Sequence, residues 1–244
     1  MTSNPRRQGH ATLDLSSRAA KGLKIERLLE PSPPRGGRLL EVGTGAGGIA
    51  HYFATRSSYA FEVDAVDVDD RRQVRDGYRF TPVHSTALPF DADTFDVVIS
   101  NHVIEHVGLQ DDQLHHLQEI RRVLKPGGVV YLAVPNRWMP VEPHFRVPLL
   151  SWWPRALRSP WLRLWRRGHV YDCEPLTLTA LLDLIARANL HGDVASVKAF
   201  RAWVAIESPG GILIRALARL PDRWLEHLRA LIPTHVCVLH KRPT

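Results

Sequence analysis

Apolar and polar positions follow two alternating periods along this chain. Short apolar runs recur at 37–43 (GRLLEVG), 59–69 (YAFEVDAVDVD), 95–100 (FDVVIS) and 129–135 (VVYLAVP). Glycine, proline or acidic residues bound them, the pattern of buried strands. Between them the period lengthens. The stretch 47–56 reads as a helix, and at 109–124 Leu109, Leu114, Leu117, Ile120 and Leu124 recur at helical spacing. A first helix is predicted from residue 15, ended by Pro31, Pro33 and Pro34. Pro126 and Gly127 in KPGG suit a type II turn. Further on, 177–190 reads as a helix started by Thr177 or Thr179, and 197–206 (VKAFRAWVAI) and 235–242 (HVCVLHKR) read as strands. The stretch between those two, 210–233, reads as helical and broken near Pro221. Strands alternating with helices predict an α/β fold with a doubly wound, mostly parallel sheet.

Residues 136–175 interrupt this alternation and are rich in proline, tryptophan and arginine. Within them, 159–168 (SPWLRLWRRG) predicts a compact helix with Ser159 as N-cap, Pro160 at its first position and Gly168 at its end. Trp161, Leu164 and Trp165 would share one face, and Arg163, Arg166 and Arg167 another. Within 212–232, Arg215, Arg219 and Arg223 stand opposite Leu213, Leu217, Leu220 and Trp224. Such helices either pack their apolar faces on the sheet or lie on an anionic membrane surface. Nucleic acid ranks last as a partner, because it favours aromatics interleaved with the basic residues.

The chain has 244 residues, 44% of them apolar, enough to bury a core without a disulfide or metal staple. The expected organisation is a single domain over 1–244: an arm and helix at 1–36, a ligand-binding half at 37–136, a cap at 137–175 and C-terminal helices and strands at 176–244. Cys173 and Cys237 lack neighbours at metal-ligand spacing, so no metal site is expected and a reducing cytoplasm is the default setting. The polar start of the chain has no apolar signal region, and no apolar run is long enough to span a bilayer. Contact with the inner membrane face would then be peripheral. The net charge of +7 comes mostly from arginine and suits anionic lipid, nucleic acid or an anionic substrate.

The turn at 41–48 (EVGTGAGG) fits two fingerprints. Gly43, Gly45 and Gly48 match the dinucleotide pattern G-x-G-x-x-G, while Glu41 with Gly43, Gly45 and Gly47 matches E-x-G-x-G-x-G. A diphosphate seeks the positive end of a helix, and a carboxylate just ahead of the glycines opposes it. Glu41 suits instead a ligand carrying an ammonium and a sulfonium. Asp67 stands where an acidic residue receives ribose hydroxyls in either nucleotide class.

Four blocks in order, LLEVGTGAGG, AVDVDD, ALPFDADTFDVVISNHVIEHV and RRVLKPGGVVYLAVPN, give the chain its resemblance to class I S-adenosylmethionine-dependent methyltransferases. The group it is most similar to acts on quinones, sterols, sugars and other small molecules. The resemblance is close over 37–136 and looser beyond. It implies a Rossmann-like seven-stranded sheet with a small helical cap, and S-adenosyl-L-methionine as cofactor. It implies that Glu41, Gly43, Thr44, Gly45 and Gly47 hold the methionine end, with Asp67 on the ribose and Val68 against the adenine. Asn101 and His102 would lie near the amino-acid moiety or the methyl group. The family often has an acidic residue where this chain has His84, so His84 or the backbone at Ser85 would meet the adenine amino group.

Methyl transfer needs the acceptor placed behind the methyl group, and a base where the acceptor is a hydroxyl. His106 follows the strand at 95–100, and Glu142 and His144 lie in the interrupting segment. These three are the candidate catalytic residues, with structural capping and packing as the competing role. The expected activity is transfer to a small or lipid-linked acceptor on oxygen. A catalytically silent cofactor-binding module, a nucleic-acid methyltransferase and a nicotinamide-dependent oxidoreductase are the alternatives. SNHV stands where enzymes acting on adenine or glutamine amino groups carry N-P-P-aromatic, which weakens the nucleic-acid reading.

Overall fold

The computed structural model describes residues 15–29, 33–142, 144–207, 211–229 and 232–242. The elements run α1 (Leu15–Leu28), β1 (Arg38–Val42), α2 (Gly48–Thr55), β2 (Glu62–Asp67), β3 (Arg79–Pro82), β4 (Phe95–Asn101), α3 (Gln110–Val123), β5 (Leu124–Pro135), β6 (Val141–Glu142), β7 (Val147–Pro148), α4 (Arg155–Leu164), α5 (Leu178–Arg187), β8 (Leu190–Val194), α6 (Ser196–Glu207), α7 (Ile212–Leu217), α8 (Asp222–His227) and β9 (Thr234–Lys241). Seven strands form one sheet in the order β3-β2-β1-β4-β5-β9-β8. β1 to β5 are parallel, and β9 runs antiparallel to both of its neighbours. The strand order reverses between β1 and β4, which opens a crevice at the carboxyl ends of these strands.

Both faces of the sheet are covered, which explains why the central strands read as nearly continuous apolar runs. On one face Leu40, Val98 and Leu132 pack with Leu117 and Ile120 of α3 and Leu181 and Leu184 of α5. On the other, Leu39, Ile99 and Tyr131 meet Ile25 of α1, Phe53 of α2 and Ala199 of α6. Thr177 caps α5, its side chain accepting from the Ala180 amide. Gly127 takes φ 79° in the turn that Pro126 begins.

Three differences from the sequence reading stand out. The stretch 197–206 is helix α6, not a strand. Val197, Phe200 and Val204 recur at helical spacing as readily as its residues alternate, and the face beside α1 needed a covering helix. Lys24 of α1 pairs with Glu207 of α6 at 2.9 Å across that packing. β3 and β8 are short edge strands whose mixed side chains carry little apolar signal. The third difference is α4, which begins at Arg155 and encloses Pro160. Ser159 is therefore no N-cap, and its hydroxyl accepts instead from the Tyr171 amide at 3.1 Å. Arg166 and Arg167 lie beyond the helix, where Arg166 turns left-handed at φ 53°.

The segment after β5 folds back over the carboxyl edge of the sheet. β6 and β7 pair as a small hairpin, and Phe145, Val147, Leu150 and Leu162 form a core of its own beneath α4. The segment returning from α4 is pinned to the sheet edge: the Glu174 amide donates to the Glu105 carbonyl at 2.7 Å, and Arg158, buried, pairs with Glu174 at 3.0 Å.

Candidate active site

The turn between β1 and α2 is shaped for close backbone approach. Gly43, Gly45 and Gly47 hold φ of 77°, 52° and 86°, in the left-handed region that costs any other residue strain. A Cβ on Gly43 would run into the Val103 side chain, and one on Gly47 into the Tyr78 hydroxyl and the Val74 carbonyl. Asp67, at the end of β2, ties this turn to its strand: Oδ2 accepts from the Gly45 amide at 2.8 Å and Oδ1 from the Val68 amide at 2.7 Å. Val68 itself is exposed at the mouth, as are His84 and Ser85 two and three residues past β3. The Ser85 hydroxyl accepts from the Ala87 amide at 3.2 Å.

Glu41 differs from the open carboxylate that the motif pictured. It is 2% exposed, and its Oε2 accepts from the Thr44 hydroxyl at 2.7 Å and the Ala50 amide at 2.9 Å. Burial pushes its carboxyl up to about 8, against the pull of those two hydrogen bonds. Near neutral pH, even with the favourable charge of the Arg18 guanidinium, the group is largely protonated. Glu41 thus braces the turn from below, and its charge becomes available only when something stabilises it.

Asn101 ends β4, and His102 follows with φ 59°, a conformation uncommon outside glycine and often found at functional loops. The ladder to β5 holds it there, since the His102 amide donates to the Ala133 carbonyl at 2.9 Å. A 3-10 turn, Ile104–His106, comes next. The Gln113 side-chain amide clamps it by donating to the carbonyls of Ile104 at 3.3 Å and Glu174 at 3.0 Å. Because Val103 packs against Gly43, this loop borders the glycine turn directly.

Glu105 lies completely buried in that turn, 3.4 Å from His102 Nδ1 and 3.9 Å from His106 Nε2. Neither of its carboxylate oxygens makes a well-formed hydrogen bond. Burial works to raise its carboxyl, but the two imidazoles outweigh it and hold the group below the ordinary carboxylate value.

The cap brings its own polar residues to the same place. His144 Nδ1 donates to Glu142 Oε1 at 2.7 Å, and the other oxygen of Glu142 accepts from the Phe145 amide at 2.7 Å. Burial would lower His144, but the bond to Glu142 prevails and raises it above the usual histidine value. The rings of His106 and His144 meet edge to face with centroids 5.3 Å apart. Cys173 Sγ lies 3.6 Å from His106 Nδ1, and the nearby Tyr171 hydroxyl is buried without a hydrogen-bond partner. The three candidate catalytic residues, His106, Glu142 and His144, therefore converge at the carboxyl ends of β4 and β5. Glu41, the glycines and Asp67 gather at the ends of β1 and β2. His84 stands apart from both groups at the rim.

Several residues of this site carried no readable signal. Glu105 is one more acidic residue in the block that ends NHVIEHV, and Cys173 lacked any partner at ligand spacing, yet the fold sets Cys173 beside His106, 67 positions away. His116, on α3, is buried below the loop with Nε2 3.1 Å from the Ser100 hydroxyl, and burial pushes it down to about 4. Its helical spacing showed only that it faces inward.

A family model described as a methyltransferase domain matches residues 15–191. The ubiquinone biosynthesis O-methyltransferase of Cereibacter sphaeroides is 27% identical over 194 residues, spanning 77% of this chain and 71% of that protein. The protein of the same description from Dinoroseobacter shibae is 29% identical over 140 residues, which cover 55% of this chain and 53% of the relative, about half its length. Among solved structures, an S-adenosylmethionine-dependent methyltransferase from Mesorhizobium loti superposes with a TM-score of 0.60 at 16% identity, over 93% of this chain and all of that one. That last likeness is one of fold.

Proposed function

The chain belongs to the methyltransferase-domain family, and from that premise we propose that it methylates a hydroxyl oxygen of a small or lipid-linked acceptor held beneath the cap. The observation that carries this reading is the buried Glu142–His144 pair, 2.7 Å apart, beside His106 and next to the loop that borders the glycine turn. The names of the relatives, O-methyltransferases of ubiquinone biosynthesis, support oxygen as the acceptor atom.

S-adenosylmethionine, when bound, supplies an activated methyl on a good leaving group. The remaining work falls to the chain's own residues. The glycine turn lets the backbone approach the methionine end, Asp67 receives the ribose, and Asn101 and His102 border the reacting centre. A hydroxyl is a poor nucleophile until its proton leaves. Glu142 fixes the His144 ring with Nδ1 as donor, the arrangement that orients a base and steadies its charged form. The cap closes this space with Phe145 and Tyr171 and limits water beside the reacting atoms.

The outer surface of the cap favours a lipid-linked acceptor. Trp153, Leu157, Leu164 and Trp165 are exposed, and the first three, with Pro160 and Trp161, line an open apolar groove of about 380 Å³. The exposed side chains do not pack on the sheet; Arg158 and Leu162 of α4 turn inward, and Trp161 lies partly on the cap's own core. Exposed Arg155, Arg163, Arg166 and Arg167 surround them, the pairing of tryptophan and leucine with cations that suits an anionic bilayer surface. α8 adds exposed Trp224 and Arg223, while the side chain of Leu213 lies outside the described residues. No helix of the described residues is long and apolar enough to cross a membrane.

The test is methyl transfer from labelled cofactor to phenol and quinol acceptors, with and without a prenyl tail. Glu142→Gln should lower kcat by about 10²- to 10⁴-fold while leaving adenosylhomocysteine affinity within a factor of two or so. Unchanged kcat would remove the pair from the chemistry. In parallel, the protein should float with anionic vesicles at low salt and the double variant Leu164→Asp, Trp165→Asp should not; equal flotation of both would discard the membrane face.

A further inference from the structure

The acceptor site brings together more ligating side chains than proton transfer requires. One ligating atom each from Glu105, His106 and His144 lie within 4.8 Å of one another, and a neighbouring set of Glu142, His144 and Cys173 meets the same limit. Glu105 is the most demanding of these groups. It is 0% exposed, and neither of its oxygens makes a well-formed hydrogen bond. A buried carboxylate left in this way is costly unless a cation answers it. Among the described residues, the imidazoles of His102 at 3.4 Å and His106 at 3.9 Å partly offset it.

We infer that Glu105, His106 and His144 form a binding site for a divalent first-row metal ion of the zinc class. Two imidazoles and one carboxylate are the donor set of open, three-ligand sites that keep a position for water or substrate. Glu142 fits the supporting role in such a site. By accepting from His144 Nδ1 it fixes the tautomer and presents Nε2 as the ligand, the carboxylate–histidine–metal relay that tunes many metal centres. Glu105 and His106 belong to the turn after β4, and His144 to the cap, so an ion there joins the cap to the sheet edge. Cys173, in the adjacent set, lies beside this site without being one of its three ligands.

The inference rests on the reading of this region as the acceptor site and specifies how that site handles the proton. With the ion in place, His144 Nε2 serves the metal and no longer takes the acceptor's proton itself. The acceptor's hydroxyl oxygen takes the open position and loses its proton to solvent more readily, because the cation stabilises the resulting alkoxide or phenoxide. The oxygen's electron pair then forms the new bond to the methyl carbon as the carbon–sulfur bond breaks, and the thioether leaves neutral.

The experiment is a titration of the chelator-treated full chain with Co²⁺, read by visible absorption, followed by competition between Zn²⁺ and a chromophoric chelator. The expected result is one Co²⁺ per chain, displaced by Zn²⁺. Glu105→Gln and His106→Ala should each abolish stoichiometric uptake, and Glu142→Gln should weaken it about 10- to 100-fold. Cys173→Ser should leave the stoichiometry unchanged. Retained adenosylhomocysteine binding identifies the variants that have folded, and the near-isosteric Glu105→Gln keeps the test decisive should His106→Ala fail. Lack of stoichiometric uptake, uptake unchanged in Glu105→Gln, or uptake abolished by Cys173→Ser would each overturn the assignment. Metal uptake needs no turnover: Co²⁺ bound as expected with no acceptor methylated would leave the site standing and sink the proposed function, and the reverse pair of results would do the opposite.

Discussion

Ionisation of Glu41 should couple cofactor binding to pH. In the cofactor-free fold its carboxyl is moved from 4.5 to about 8, chiefly by burial, which represents on the order of 5 kcal/mol of unfavourable ionisation. A bound ammonium or sulfonium nearby reverses much of that penalty, so ligand binding and proton release should occur together. Between about pH 5 and pH 8, the affinity for adenosylhomocysteine should rise by up to roughly tenfold per pH unit and level off above 8. Calorimetry near pH 6.5 in buffers of different ionisation enthalpy should count close to one proton released per ligand. The same group acts on stability with the opposite sense. Its folded-state value is raised, so its contribution is fully present below the unfolded value near 4.5 and is lost as pH rises through about 8. The melting temperature of the cofactor-free protein should therefore decline over that window. Glu41→Gln, which keeps the shape of the side chain, should flatten both profiles and abolish the proton release. A wild-type protein whose affinity and proton count are indifferent to pH, or a Gln variant with the parental profile, would refute this reasoning.

Two further outcomes follow from the geometry. Gly43→Ala should cost about 1–3 kcal/mol and weaken adenosylhomocysteine binding, because the new methyl group meets Val103 at a φ of 77°; a melting curve and affinity equal to wild type would show that the turn relaxes freely. Asp64, 4% exposed between Arg38 at 2.8 Å and Arg79 at 2.9 Å, has its carboxyl depressed because these partners outweigh the effect of burial. Asp64→Asn should lower stability by about 1–3 kcal/mol near neutral pH. Since the folded value is depressed, that contribution is present above the unfolded value and disappears as pH falls through the folded one. The gap between variant and wild type should therefore close below about pH 4, and denaturant titrations at the two pH values check it.

What the sequence could determine by itself was local or periodic. The strands at 37–43, 95–100 and 129–135 and the helix α3 were readable because burial on one or both faces imposes a period on the residues themselves. The glycine turn was readable because positive φ and close approach exclude nearly every other residue. Periodicity failed at 197–206, where the same residues satisfy both a strand and a helix, and only the uncovered face of the sheet beside α1 chose between them. The charge state of Glu41 also escaped the sequence, since a motif names the carboxylate but burial and the donors of Thr44 and Ala50 set its proton affinity. The candidate acceptor site was legible only in part. His106, Glu142 and His144 were candidates from the sequence, but Glu105 and Cys173 join them only because a cap folds back over the edge of a sheet, and spacing along a chain carries no information about such meetings. That closure is a long-range packing event, driven by the small core under α4 and pinned through Glu174, and it is what turns scattered histidines and carboxylates into one site.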